Sequence, residues 1–328
     1  MPRVSVIIPT YNRAHVVGEA IDSVLAQTYR DFEIIVVDDA STDNTQEVLA
    51  RYLSEHGERI RYIRRETNGG AGAARNDGIR VSTGEFIAFL DSDDLYLPAR
   101  LHAAVEFLDH RPKYEAAYSN YATVGPHGEL PARGALRSRG LFPSGHIFRE
   151  ILKHVVVCTD VITVRRSAIL KAGLFDETLR RAEDFEYWAR LSRVSQIGFH
   201  PDVLAVIRPF IAGHRDLRAL SSAVPGAASD KLLRATPALK PAEARILRAQ
   251  VAPAYRWRGT LLWRFGRRRE ARAWFRRALA YAWQHRLWRE LAEVWLAARA
   301  PILAESCGWL WRRTRPLRAA LACLRRRM

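Results

Sequence analysis

Phe86-Ile87-Ala88-Phe89-Leu90 runs directly into Asp91-Ser92-Asp93-Asp94. An apolar run of this length, closed by polar residues, reads as a buried strand. The carboxylates at its end cannot follow it into a core, because an unpaired ionised carboxylate is costly away from water. They belong at the open carboxyl end of a sheet, where α/β proteins bind ligands. Hard oxygen ligands grouped in this way suit Mg²⁺ or Mn²⁺, and such an ion suits a diphosphate.

Outward from this stretch the chain alternates between two periods. Val4–Ile8, Phe32–Val37 and Ile60–Arg64 read as strands, and Ala14–Ala26, Thr42–Leu53 and Ala71–Val81 as helices, the second opened by Ser41 or Thr42. Strands alternating with helices predict right-handed βαβ units and a parallel sheet. Polar residues follow the strands at Pro9-Thr10-Tyr11-Asn12, at Asp38-Asp39 and at Asp91–Asp94. Such convergence is what a ligand crevice requires. In a regular strand Asp38 and Asp39 point to opposite sides. Residues 99–110 read as a further helix, with Asp94 as its cap, and 124–145 as a Gly- and Pro-bearing loop. Val155–Val164 is strand-like, Ser167–Ala172 is a short helix stopped by Gly173, and Glu183–Arg193 is helical with Phe185, Trp188 and Ala189 on its apolar side.

Composition divides the chain. It has 328 residues and a formal net charge of +17, with 52 Lys and Arg against 35 Asp and Glu. Residues 1–239 carry 30 of each sign, so the whole excess lies in 240–328, with eight of the nine tryptophans. We expect one domain over 1–222, a linker over 223–240 and a helical Arg/Trp-rich region over 241–328. In that region Ala271 and Phe275 fit the A-x₃-F element of a tetratricopeptide-type hairpin. No apolar run approaches a membrane span and the N-terminus has no signal-peptide pattern, so the expected location is the cytoplasm. The three cysteines, Cys158, Cys307 and Cys323, show neither zinc spacing nor a disulfide framework. The basic tail carries no nucleic-acid recognition motif. The segment 308–328, rich in Trp and Arg, suits an anionic membrane surface first, and otherwise a helical partner-binding module or a solvated basic appendage.

Five segments, taken together, resemble family 2 glycosyltransferases: Val4–Asn12, Val36–Asp43, Asn68–Asn76, Asp91–Asp94 and Glu183-Asp184. The resemblance covers Pro2 to about Leu220. It implies the GT-A fold, a mainly parallel sheet between helices, and inverting transfer of a sugar from a nucleotide-sugar, assisted by Mn²⁺ or Mg²⁺. It also implies roles. Asp93 matches the metal-binding carboxylate and Asp91 the one facing ribose and metal, with Ser92 between them. Asp39 matches the carboxylate that accepts a base N–H, typically of uracil. Pro9, Thr10, Tyr11 and Asn12 line the nucleoside pocket. Asn68 and Arg75 belong to the Gly-rich segment, with Arg75 near the donor diphosphate.

On the acceptor side, Asp184 matches the general base, and Glu183 helps to orient the acceptor. Trp188, one turn later, is either core or an acceptor platform. His214 falls where some relatives place a further metal or diphosphate ligand, and is otherwise a solvated loop residue. The expected activity is therefore non-processive transfer from a nucleotide-sugar, a UDP-sugar for preference, to a glycan, lipid-linked or protein acceptor. The alternative from another class is a non-catalytic sugar-nucleotide-binding scaffold.

Overall fold

The computed structural model describes residues 1–124, 142–154, 157–208, 226–236, 238–264, 266–287, 290 and 294. The chain divides into two compact units, Met1–Ala212 and Gly213–Met328.

The first unit is a mixed α/β layer structure. Its sheet comprises β1 (Val4–Thr10), β2 (Phe32–Asp38), β3 (Ile60–Arg64), β4 (Phe86–Phe89), β5 (Leu95–Tyr96), β6 (Ala116–Thr123), β7 (Ile162–Arg165) and β8 (Ile197–Ile207). The strand order is β3-β2-β1-β4-β7-β6-β8-β5. Neighbours β3-β2, β2-β1, β1-β4 and β6-β8 run parallel, while β7 is antiparallel to both β4 and β6, and β5 to β8. The helices are α1 (Val17–Leu25), α2 (Thr45–His56), α3 (Ala71–Val81), α4 (Arg100–His110), α5 (Phe148–His154), α6 (Arg166–Ala172) and α7 (Glu183–Val194).

Strands β1 and β2 are buried along their whole length. Central parallel strands are covered on both faces, which is why apolar residues dominate both of them. Ser5 and Glu33, polar residues inside these strands, satisfy one another: Ser5 Oγ donates to Glu33 Oε1 at 2.6 Å, and Glu33 also accepts from the Thr83 N–H at 2.8 Å. Helix α3 lies directly on β1. A Cβ at Gly78 would stand 2.5 Å from Ile7 Cγ2, and Ile7 is fully buried. Gly78→Ala is therefore expected to destabilise by about 1–3 kcal/mol through overpacking. The roughly 1 kcal/mol of helix propensity that Ala brings offsets only part of this. A thermal midpoint equal to or above that of the parent would contradict the close α3–β1 contact.

Several elements differ from those the sequence predicts. Helix α2 starts at Thr45 behind Asn44, because Ser41 is spent on the Asn12 N–H at 2.9 Å. Helix α1 starts at Val17 rather than Ala14. The run expected as one strand from Val155 opens, among its described residues, with a 3₁₀ turn at Thr159–Val161, and the strand begins only at Ile162. Strands β6 and β8 carry weak sequence signals. The first is Ala-Ala-Tyr-Ser-Asn-Tyr, short of β-branched residues, and the second carries Pro201-Asp202 at a point where its register with β6 shifts.

The described part of the second unit is helical: α8 (Gly226–Ala235), α9 (Pro241–Arg264) and α10 (Arg268–Gln284). Helix α8 lies inside the stretch expected as a linker; Ala-Ala-Ser-Asp-Lys-Leu-Leu is good helix-forming sequence. Leu262, Ala271 and Phe275 form a buried cluster between α9 and α10. Gly259 is the small residue that admits the Phe275 ring, since a Cβ there would approach it to 2.8 Å. Gly266, at φ 75°, makes the turn between the helices. Among the described residues no helix is long and apolar enough to cross a membrane.

Candidate active site

The topology brings several strand ends to one edge of the first unit's sheet. Parallel strands β2, β1 and β4 are neighbours, so Asp38-Asp39, Thr10 and Asp91 emerge side by side. Because β7 is antiparallel to β4, its beginning lies beside the end of β4. The Asp91 N–H accordingly donates to Asp160 Oδ1 at 2.6 Å. Strand β8 also ends here, and the Arg208 N–H donates to Asp94 Oδ1 at 2.7 Å.

The loops after β1 and β2 are tied together. Asn12, held at φ 52°, accepts on Oδ1 from the Thr42 N–H at 2.7 Å. The Asp39 N–H donates to the Thr10 carbonyl at 2.9 Å. Pro9 and Thr10 are buried, and Tyr11 projects outward, 44% exposed. Asp38 is structural: its carboxylate accepts from the Ser41 N–H at 2.8 Å and from the Tyr62 hydroxyl at 3.0 Å.

Asp39, expected at the nucleobase, is buried and holds the start of α3. Its Oδ1 accepts from Arg65 Nη1 at 2.6 Å and the Gly69 N–H at 2.8 Å, and its Oδ2 from the Gly70 N–H at 2.7 Å. A carboxylate suits a helix N-terminus, where the first N–H groups lack helical partners. Gly70 sits at φ 88°, the left-handed geometry that lets both N–H groups turn toward Asp39. A carboxylate offers about four acceptor positions, so three such bonds leave one. Asn68 Nδ2 donates to the Asp39 carbonyl at 3.1 Å, and Asn68 Oδ1 accepts from Arg180 Nη1 at 3.1 Å.

At the end of β4 the carboxylates separate into two layers. Asp91 and Asp93 open to solvent, with side chains 36% and 37% exposed. Asp94 and Asp160 are buried, as is Ser92. Asp91, Asp94 and Asp160 can each place an oxygen within 4.8 Å of the others. Asp93, expected as the metal ligand, stands outside that group, with Oδ2 3.6 Å from Arg13 Nη2. Asp94 does not cap α4, which begins at Arg100 after β5 intervenes. Burial, then Asp160, then Asp91 push the Asp94 carboxyl up to about 10. Burial and Asp91 raise Asp160 to about 7, although the Cys158 thiol donates to its Oδ2 at 3.2 Å. Burial, and then Asp91, also raise Asp93.

This crowding is what a bound divalent cation relieves, so the donor set fits Mn²⁺ or Mg²⁺. It also fixes a sign. Carboxyls whose folded pKa lies above the unfolded value hold protons that the unfolded chain releases, so stability falls as pH rises between the two values. For Asp160 that window runs from near 3.8 to about 7, and for Asp94 it extends to about 10. In the presence of a chelator the unfolding midpoint is expected to fall from pH 5 to pH 8. Mn²⁺ is expected to restore more of it at pH 8 than at pH 5. A midpoint indifferent to Mn²⁺ at both values would count against a cation here.

Helix α7 carries the remaining acids. Ala182, at φ 55°, precedes it, and Glu183, Asp184 and Glu186 crowd its first turn, where negative charge suits the helix dipole. Asp184 is partly exposed and accepts from its neighbour's Phe185 N–H at 2.7 Å. Burial, then Glu183, raise it to about 6, against the lowering pull of Arg75.

Arg75, expected near the donor diphosphate, lies at 3% exposure between the two acidic groups. Its Nη2 donates to Asp91 Oδ1 at 2.6 Å and its Nη1 to Glu183 Oε1 at 2.9 Å. Glu183, expected to orient an acceptor, is thereby largely buried against Arg75. Trp188 is core and not a platform: it is fully buried, edge-on to Phe89, Phe175 and Tyr187. His214 lies outside the described residues, as does the segment 308–328.

Arg13, Arg65, Asp160 and Arg208 belong to this edge and are not among the residues expected from the sequence. Asp160 had a signal, an acid inside the apolar run Val155–Val164. Arg208 had none, since β8 was not recognised. Its Nε and Nη2 are buried without a hydrogen-bond partner among the described residues, while Nη1 donates to Glu19 at 2.6 Å.

Residues 5–173, just over half of the chain, match the family model described as glycosyl transferase family 2. A glycosyltransferase of Rickettsia typhi is 34% identical over 212 residues, covering 62% of this chain and 63% of its own length. The Bacillus subtilis glycosyltransferase EpsE is 34% identical over 191 residues, 58% of this chain and 66% of its own. The chain thus spans somewhat under two thirds of the length of these relatives.

Among solved structures, S. aureus TarS 1–349 in complex with UDP-GlcNAc aligns with a TM-score of 0.64 at 20% identity, covering 90% of this chain and 91% of that one. The mannosyltransferase PcManGT from Pyrobaculum calidifontis, in complex with GDP-Man and Mn²⁺, aligns with a TM-score of 0.59 at 22% identity, covering 95% and 88%. These likenesses establish a GT-A glycosyltransferase fold. With the strand-end acids, the α7 acidic turn and the family match on one chain, the protein belongs to glycosyl transferase family 2.

Proposed function

We propose that this protein is a metal-assisted, inverting and non-processive glycosyltransferase. In this reading it moves a sugar from a nucleoside-diphosphate donor to a hydroxyl of a glycan, lipid-linked or protein acceptor. The observation that carries it is the pairing of two acidic groups across Arg75: Asp91 at the end of β4 and Glu183-Asp184 at the head of α7. One group suits a diphosphate with its cation, the other a proton acceptor.

Asp91 and Asp93, the solvent-facing carboxylates, would hold the cation, with Asp94 and Asp160 behind Asp91. A bound Mn²⁺ or Mg²⁺ supplies Lewis-acid stabilisation of the departing diphosphate. The buried N–H groups of Arg208 are donors suited to the same anion. The fourth acceptor position of Asp39 suits a base N–H, beside Pro9, Thr10 and the outward ring of Tyr11. Asp184 takes the proton of the acceptor hydroxyl as its oxygen attacks the anomeric carbon opposite the leaving group. A carboxylate poised near 6 is ionised at neutral pH and still basic enough to serve. One displacement inverts the anomeric centre.

UDP-sugars are favoured, since the fold neighbour TarS is described with UDP-GlcNAc, while PcManGT with GDP-Man keeps guanosine donors in the test. The basic second unit and the segment 308–328 favour work beside an anionic membrane on its cytoplasmic side. The test is a panel of UDP-Glc, UDP-GlcNAc, UDP-Gal and GDP-Man, read first by thermal shift with and without Mn²⁺, then by nucleoside diphosphate release. Stabilisation and release by one member are expected. Stabilisation without release, across a range of acceptors, would select a non-catalytic binding role.

A further inference from the structure

We propose that Arg75 is a positioning residue that links cation occupancy at Asp91 to the placement of the Glu183-Asp184 turn. The inference rests on the function proposed above and goes beyond it, by joining the donor and acceptor halves of the site.

The guanidinium is buried, and two of its nitrogens reach acids from different parts of the fold, Asp91 after β4 and Glu183 on α7. Burial alone would favour losing its proton, but Asp91 and Glu183 outweigh this and hold it charged. Its Nε finds no partner among the described residues, and its charge lies 5.5 Å from the Phe175 ring. The surroundings are built to admit it. A Cβ at Gly72 would come within 3.2 Å of Glu183 Cγ and 3.5 Å of Phe175 Cβ, so a glycine one turn before Arg75 is what lets α3 approach α7. Asn76, the next residue, ties α3 to the segment before α7. Its Nδ2 donates to the Phe175 carbonyl at 2.9 Å, and its Oδ1 accepts from the Phe175 N–H at 2.8 Å.

A planar fork held between two carboxylates shares its charge between them. A cation taken up by Asp91 competes with Arg75 for that carboxylate, and Arg75 then leans on Glu183. That contact fixes the first turn of α7, which carries Asp184. Donor-side loading is thereby passed to the base without any contact between substrate and Arg75. Placed against the diphosphate instead, Arg75 would govern donor affinity.

Mn²⁺ affinity, measured by the loss of the free-ion paramagnetic resonance signal, tests the link without relying on turnover. Glu183→Gln is expected to weaken Mn²⁺ binding about three- to tenfold, because Arg75 then falls wholly to Asp91. In an Arg75→Gln background the same change is expected to shift it less than twofold. Arg75→Lys, which keeps the charge without the fork, serves if Arg75→Gln fails to fold. It is further expected to lower kcat at least thirtyfold while donor KM changes less than threefold. An equal effect of Glu183→Gln in both backgrounds, no effect in either, or absence of Mn²⁺ binding would overturn the link. So would a donor KM raised more than tenfold with kcat kept. Failure of every donor to release nucleoside diphosphate, with the Mn²⁺ cycle intact, would sink the proposed function and leave the link standing.

Discussion

Asp184→Asn is expected to lower the rate of sugar transfer by about 10²–10⁴-fold, the usual scale for losing a general base. Donor affinity is expected to stay within about threefold, since an amide keeps the shape of the group and its bond from the Phe185 N–H. The parent enzyme should show an acid limb near pH 6, where burial and Glu183 hold the carboxyl. Only the ionised carboxylate accepts a proton, so activity is lost as pH falls through that value and is level above it. In the variant that limb should vanish. Transfer that survives Asp184→Asn with its pH profile unchanged would remove the base assignment.

Asp91→Asn is expected to do two separate things. It takes a charge from the proposed cation site, so Mn²⁺ affinity and transfer should both fall by about 10² or more if the cation acts there as a Lewis acid. It also takes a carboxylate from the buried Arg75, and breaking such a pair leaves charge uncompensated. The full cost of about 3–5 kcal/mol does not apply, because Arg75 keeps Glu183 and the Asp91 side chain is 36% exposed. A loss of about 1–3 kcal/mol is expected, read from denaturant unfolding in a chelator, where the cation plays no part. Opposing it, one charge fewer relieves the buried Asp94 and Asp160, so the loss should shrink as pH rises. Unchanged stability at pH 5 would argue that Arg75 is not held by Asp91.

The parallel core was legible from local pattern alone. Val4–Ile8, Phe32–Val37 and Phe86–Leu90 are dominated by apolar residues, broken only by Ser5 and Glu33, because central strands are covered on both faces. The residues at their ends could be named for the same reason: chain direction places every parallel strand's carboxyl end on one edge. Asp160 could not be so named, since it precedes an antiparallel strand and only the β4–β7 pairing sets it beside Asp91. Arg208 lies at the end of a strand whose Pro201-Asp202 interruption hid it.

The sequence by itself determined the family, the alternation that builds the sheet and the acids that reach its edge, because these depend on residue type and on spacing along one strand or helix. Only the tertiary structure decided which acids stand together. The Phe86–Asp94 stretch announces a cluster, but whether a carboxylate faces solvent, as Asp91 and Asp93 do, or is walled in, as Asp94 is, depends on what packs over it. The same holds for Arg75. Its helix was plain in the sequence, whereas its two partners lie 16 and 108 residues away, a distance that no local pattern spans.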